Sequence, residues 1–273
     1  MKFYTYASQV FNKIYIREID NKGEEYSETF DFKPTLYVPA PKEKANFKTL
    51  DNRPLADIMF PSIKECKDFI DKYTGVSNYK IFGNTNYVFQ FLSENYADNV
   101  QWDKSKILIY TLDIEVASDD GFPDIRLANA PITAITVHNS INDTYYVFGT
   151  GDYTPNDPDK TIKYFRLDDE SEMMQGFLDW WKENPPHIIT GWNCKFFDIP
   201  YIINRMKYLD IEVKYLSPIK RVVDKNVVIA GRDNMYYTII GISTLDYIDL
   251  YKKYTYKVRE SYRLDYIGQV ELG

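Results

Sequence analysis

The sequence predicts a mixed α+β region over residues 1–105, followed by an α/β region over residues 106–273 built on a β-sheet. Three observations predict this. The run ILIYTLDIEV (107–116) is apolar and β-branched apart from two acids, which marks a buried central strand. Two further strand-like runs, PITAITVHNS (131–140) and DTYYVFG (143–149), follow it closely enough to form a three-stranded meander. An apolar helical stripe and a short buried strand come next, so strand and helix alternate along the second half.

The opening region reads differently. Residues Phe3 to Ile19 alternate around Tyr, Val and Ile, then break at Asp20-Asn21-Lys22-Gly23; a second strand-like run spans Phe30 to Val38, giving a hairpin or meander. PSIKECKDFIDKY (61–73) places Ile63, Cys66, Phe69 and Ile70 on one helical face with Ser62 as N-cap. NYVFQFL (86–92) reads as another strand. The region ends near Asp103-Lys104.

Beyond the central strand, a turn is expected at Asp119-Asp120-Gly121. In ESEMMQGFLDWWKE (170–183), Met173, Met174, Phe177, Leu178 and Trp181 form a helical stripe stopped by Pro185-Pro186. HIITGWN (187–193) is the next buried strand and DIPYIINRMKYL (198–209) the helix after it. Residues 219–243 hold two β-branched runs around Ala230-Gly231-Arg232-Asp233-Asn234, the turn chemistry of a β-hairpin. The order β-β-β-α-β-α on a mixed sheet is the ribonuclease-H-like arrangement, and fold alone does not fix function.

Cys66 and Cys194 are the two cysteines and carry no CxxC spacing, so neither a disulfide framework nor a zinc site is expected. The start MKFYTYASQV lacks the apolar stretch of a signal peptide, and no run approaches the roughly 18–20 apolar residues that span a bilayer. A cytoplasmic protein without membrane contact is expected. Charge is uneven. Residues 1–106 hold 15 acidic and 15 basic side chains, residues 107–200 hold 16 and 6, and residues 201–273 hold 9 and 12. An acidic centre beside a mildly basic end suits a carboxylate metal site next to a phosphate-contacting surface, and suits an ordinary acidic surface too.

The acids on the strands carry the chemistry. Asp113 and Glu115 lie two apart in TLDIEV, so both project from one face of the strand. Ionised carboxylates among Leu, Ile and Val are costly unless paired or bound to a cation, and two that repel each other favour a divalent one. About 80 residues on, GWNCKFFD (191–198) brings Asn193, Phe197 and Asp198 to a strand end where a helix begins. Alone, Asp198 reads as an N-cap. The combination is far rarer than either half.

Asp-Ile-Glu followed by Asn-x3-Phe-Asp resembles the exonuclease domain of family B DNA polymerases, those of T-even-type bacteriophages above all. The resemblance runs through DIEVASDDGFP (113–123), PITAIT, TGWN–FDIPYIINR (190–205), GIS-LDYIDLYKK (241–253) and SY-LDYI (261–267), and more loosely through 19–25 and 32–39. It implies a polymerase N-terminal domain followed by a proofreading 3′→5′ exonuclease domain. It also implies two-metal hydrolysis of phosphodiesters with Mg²⁺ or Mn²⁺. Asp113 would bridge or bind both ions, Glu115 would join the metal site and bind and orient the ion-activated water, and Asp198 would hold the second ion. Phe122 and Phe197 would stack on frayed terminal bases, and core packing is the alternative for both, more so for Phe122. Asn193 would bond the substrate strand, with a strand-end turn residue as the alternative, while Lys220, Arg221, Lys225 and Arg232 would meet phosphates around the hairpin or form a solvated basic face. His138 and His187 are expected to be structural.

The family's third motif, Tyr-x3-Asp, does not follow Asp198 in this sequence. Tyr153–Asp157 and Tyr164–Asp168 have the spacing but precede Asp198, in expected loops. The resemblance therefore implies a fragment, cut inside the exonuclease domain and weak or inactive alone. Its expected partners are DNA with a single-stranded 3′ end or primer–template, the missing C-terminal polymerase part, a sliding clamp and a single-strand-binding protein. Two alternatives stay open: a self-sufficient nuclease completed by Asp246, Asp249 or Asp265, and a non-catalytic nucleic-acid-binding or scaffolding subunit.

Overall fold

The computed structural model describes residues 2–77, 79–96, 100–117, 121–229 and 231–273. The chain divides into two compact units, residues 1–102 and 103–273.

In the first unit, β1 (Lys2–Val10), β2 (Lys13–Asp20) and β3 (Glu25–Asp31) form an antiparallel sheet in that order. The alternating run Phe3–Ile19 is thus two strands, not one. They reverse at Phe11-Asn12, where Phe11 takes a left-handed φ of 55°. The run Phe30–Val38 is likewise broken around Pro34. Its second half is β4 (Thr35–Pro39), which pairs with β6 (Pro54–Met59), itself flanked by the short β5 (Phe47–Lys48). Helix α1 (Ile63–Tyr73) starts as expected: the Ser62 hydroxyl accepts the Glu65 N–H at 3.3 Å, and Ile63 and Cys66 are buried.

The segment 86–92 is not a strand. It belongs to helix α2 (Tyr87–Asn95), capped by the Asn86 side chain on the Phe89 N–H. Tyr87, Gln90 and Phe91 are its buried residues, the i, i+3, i+4 spacing of a helix face. Short apolar runs fit either period, and here the cap and the buried partners decide.

The second unit is built on a six-stranded mixed sheet. Strands β7 (Ile109–Val116), β8 (Ile132–Asn139) and β9 (Thr144–Gly149) form the expected antiparallel meander. A strand not expected from the sequence, β10 (Thr161–Arg166), extends it, parallel to β9, so Tyr164 lies in a strand rather than a loop. On the other side of β7, β11 (Ile188–Thr190) and β14 (Ser243–Thr244) run parallel to their neighbours, giving the order β10-β9-β8-β7-β11-β14. The turn residues Asp119 and Asp120 lie outside the described residues, as does Ala230.

Helix α3 (Glu170–Glu183) buries the five predicted stripe residues Met173, Met174, Phe177, Leu178 and Trp181. Helix α4 (Asp198–Tyr208) adds Ile199, Ile202, Ile203 and Met206. Both sets join Leu112, Ile114, Ile135, Val137, Phe148 and Ile189 of the sheet in one core. The buried Arg205 of α4 bonds Glu170 of α3 through Nε at 2.8 Å and the Ala128 carbonyl at 3.0 Å, which ties both helices to the loop before β8. Strands β12 (Val222–Ile229) and β13 (Arg232–Ile239) form the expected hairpin, and helices α5 (Tyr247–Tyr254) and α6 (Leu264–Leu272) follow β14.

Candidate active site

Strand β7 alternates strictly. Tyr110, Leu112 and Ile114 point into the core, and Thr111, Asp113 and Glu115 are exposed on the other face. The two acids do share a face, as a period of two requires. That face is open, so the strand is buried on one side only, contrary to the sequence expectation. An acid at these positions is tolerated because solvent reaches it.

The third acid sits in a different setting. Asp198 is the first residue of α4, where unpaired helix N–H groups favour a carboxylate. It is 3% exposed, and one of its oxygens accepts the Ile114 N–H at 3.1 Å. Burial, with the negative charge of the facing Asp113, pushes its carboxyl up to about 7. The Asp113 carboxyl is raised as well, by partial burial and then by Glu115. Asp198 has no ion-pair partner among the described residues.

The loop that delivers Asp198 is tightly specified. A Cβ at Gly191 would stand 2.6 Å from the Leu112 carbonyl oxygen and 2.9 Å from Cys194 Cβ, so only glycine fits there. Asn193 takes a left-handed φ of 66°, a conformation Asn accepts more readily than most residues. Its carbonyl then receives the N–H groups of Phe196 and Phe197 at 3.1 and 3.0 Å, which turns the chain into α4.

Asp113, Asn193, Phe197, Phe122 and Asp198 all line one open cleft of about 440 Å³. Phe122 is 80% exposed, so it is not a core residue; its ring meets that of Phe197 at 5.1 Å. Glu115 stands next to Asp113 on β7 and does not line the cleft. Lys220 and Arg221 lie at the base of the β12–β13 hairpin and Arg232 begins its return strand; none of the three lines the cleft either. Besides Ile114, the remaining wall was not foreseen: Trp192, Ile248, Ser261, Tyr262 and Arg263. The Trp192 indole N–H donates to the Tyr262 carbonyl at 2.9 Å, pinning the 261–263 segment over the site. The SY-LDYI similarity was the signal available for that segment.

Among the described residues no group of three or more His, Cys, Asp or Glu side chains is gathered as a metal site. The donors that do converge are carboxylate oxygens, which suit hard cations such as Mg²⁺ or Mn²⁺. A buried acid facing a second acid, with no ion-pair partner among the described residues, fits such an ion. His187 accepts the Leu108 N–H through Nδ1 at 2.9 Å, and His138 pairs with Asp143 at 2.7 Å; neither lines the cleft. A larger hollow of about 730 Å³ opens beside β8 to β10, but its acids Asp152 and Asp157 already pair with Arg166 and Lys160.

The family model for the exonuclease domain of DNA polymerase family B matches residues 56–267. The DNA-directed DNA polymerase of Escherichia phage RB69 is 32% identical over 303 residues, covering 100% of this chain and 33% of the relative. That of Enterobacteria phage T4 is 31% identical over 300 residues, covering 99% and 32%. The DNA polymerase catalytic subunit of Elephantid herpesvirus 1 is 28% identical over 188 residues, covering 64% and 17%. The chain spans about a third of the length of the phage polymerases it matches. With Asp113, Asn193 and Asp198 all inside the matched span, the chain belongs to DNA polymerase family B, by way of its exonuclease domain.

Proposed function

We propose that the cleft of Asp113 and Asp198 is a proofreading 3′→5′ exonuclease site that hydrolyses the 3′-terminal phosphodiester of DNA. The observation that carries this reading is the convergence of two acids, one from the central strand and one from a helix start, without an ion-pair partner among the described residues. A structural carboxylate pair in that position would be destabilising, whereas a cation-binding pair gains function from the same repulsion. Two divalent ions, Mg²⁺ or Mn²⁺, would supply charge stabilisation for the attacking and leaving oxygens. Asp113 and Asp198 hold them in this reading, and Glu115, on the same face of β7, orients the attacking water.

The other side chains bind and align the substrate. The Phe122–Phe197 pair offers ring faces to the terminal bases of a single-stranded 3′ end. Asn193 bonds the strand, and Lys220, Arg221 and Arg232 meet phosphates of a primer–template reaching the hairpin. The sheet order and the helices α3 and α4 on its core face support a ribonuclease-H-like domain over residues 106–273. Residues 1–105 are assigned as the polymerase N-terminal domain. The chain spans about a third of its phage relatives, and this reading assigns polymerisation to the parts of a family B polymerase that lie outside residues 1–273. A sliding clamp and a single-strand-binding protein belong to the same proposal, as does the host cytoplasm; no helix among the described residues is long and apolar enough to cross a membrane.

The test is digestion of 3′-labelled single-stranded DNA by the chain, with and without a polypeptide carrying the rest of the polymerase. Digestion that requires Mg²⁺ or Mn²⁺ and disappears in Asp113→Ala and Asp198→Ala is expected. Digestion undiminished in both variants would sink the assignment.

A further inference from the structure

Asp246 is 3% exposed and sits just before α5, far from β7 in sequence. Its sequence context suggested a spare metal ligand, yet its oxygens are already engaged. Oδ1 accepts the Asn193 N–H at 2.9 Å and the Ile248 N–H at 3.0 Å, and Oδ2 accepts the Lys195 N–H at 2.9 Å. The Ile248 bond is an ordinary helix cap. The other two are not explained by capping, because they reach into the loop between β11 and α4.

Backbone bonds around them run in the same direction. Leu245 N–H donates to the Ile189 carbonyl and Tyr247 N–H to the Gly191 carbonyl, each at 2.9 Å, and the Thr190 hydroxyl donates to the Leu245 carbonyl at 2.7 Å. The segment 245–247 is therefore zipped along 189–191, and the Asp246 carboxylate reaches past the end of that zipper to the next turn. The turn it grips contains Asn193 in its left-handed conformation and leads directly into Asp198.

We infer that Asp246 is a positioning residue for this site: its carboxylate clamps the 193–195 turn and so fixes Asn193 and the start of α4, from which Asp198 reaches Ile114. This inference rests on the reading of the cleft as an exonuclease site only for its consequence; the clamp itself stands on hydrogen bonds between a buried acid and two backbone amides. Charge-assisted bonds of this kind are the stronger class, and losing one partner leaves buried amides unpaired. Asp246 acts through backbone and holds no ion in this role.

Asp246→Ser separates the clamp from the cap, because a serine oxygen still caps α5 and is too short to hold the turn. Amide hydrogen exchange is read in the metal-free, DNA-free chain. Asn193 and Lys195 are expected to exchange at least roughly tenfold faster than in the unsubstituted chain. The Ile114 amide, which never touches Asp246, is expected to shift its resonance and lose protection because its acceptor Asp198 has moved. Unchanged exchange at Asn193 and Lys195 overturns the clamp. Faster exchange there with Ile114 unmoved overturns the positioning role and leaves a local loop anchor. If Asp246→Ser does not fold, the unsubstituted chain decides: strand-like protection at Asn193 and Lys195 supports the clamp, and loop-like exchange overturns it. Absence of nuclease activity would count against the function proposed above without touching any of these readouts.

Discussion

The Ile114 amide donates to the Asp198 carboxylate at 3.1 Å, joining two residues 84 positions apart in sequence. Ile114 lies between Asp113 and Glu115 on β7, with its own side chain in the core. A single hydrogen bond therefore registers the helix-borne acid against the strand-borne pair. It sets an acid with almost no solvent against one that solvent reaches.

That difference predicts the effect of Asp198→Asn. The amide oxygen keeps the bond from Ile114, and the substitution removes a buried ionised carboxylate that has no ion-pair partner among the described residues. Metal-free stability at pH 8 is expected to rise by about 1–3 kcal/mol, while divalent-dependent DNA hydrolysis is lost. Urea denaturation in the presence of a chelator measures the first, and a loss of stability at pH 8 would show that the buried charge is compensated.

The unsubstituted chain carries the same signal in its pH dependence. The Asp198 carboxyl titrates near 7 when folded, against an ordinary value of 3.8. Between these values the folded chain keeps a proton that the unfolded chain has released, so stability falls as pH rises from about 4 to about 7 and levels off above. Asp113, also raised, acts in the same direction. Metal-free denaturation midpoints are expected to decline across this window, and saturating Mg²⁺ or Mn²⁺ is expected to flatten the slope. A slope of the opposite sign would show that the acids are not held in the way described.

The contrast between α3 and the cleft shows what the sequence makes legible. Met173, Met174, Phe177, Leu178 and Trp181 recur at helical spacing within one segment, so their burial follows from local pattern alone. Ser62 and the β12–β13 hairpin are legible for the same reason, each being a short-range signal. The segment 86–92 failed because an apolar run that short fits both periods. Strand β10 failed because it pairs as a parallel edge after a loop rich in Pro and Asp, with no local turn to announce it. Trp192 and Tyr262 meet across 70 positions, and Asp246 meets Asn193 across 53; no periodicity reports such distances. The acids themselves were found by motif, whereas the exposure of Asp113 and the burial of Asp198 came only with the fold.

Phe122 and Phe197 touch each other but differ in what holds them. Phe122 is 80% exposed, and Phe197 packs partly against the core and lies 5.8 Å from the Tyr201 ring. Phe122→Ala is expected to change stability by less than about 0.5 kcal/mol and to weaken single-stranded DNA binding by about 1–3 kcal/mol. Phe197→Ala is expected to lose binding together with about 2 kcal/mol of stability, below the range for a fully buried ring. Fluorescence-anisotropy titration beside urea denaturation separates the two. Equal effects of both variants on stability would contradict the exposure of Phe122.

The loop that carries Phe122 is held from behind by Arg205. Its guanidinium pairs with Glu170, whose carboxylate also accepts the Ile132 N–H, and donates to the carbonyls of Ala128 and Asn129. Ala128 is fully buried with a left-handed φ of 41°, a conformation costly for a residue with a Cβ. The fork of bonds from Arg205 holds it there. Arg205→Ala removes one partner of a buried pair and strands Glu170 and two carbonyls, so a loss of about 3–5 kcal/mol is expected. Arg205→Lys keeps the charge but gathers its donors on one nitrogen in place of a planar fork whose bonds to Glu170 and the two carbonyls leave from three nitrogens. A loss of about 1–3 kcal/mol is expected there, with faster proteolysis between residues 121 and 131. A lysine variant as stable as the unsubstituted chain would show that charge alone, rather than the fork, holds the loop beside the cleft.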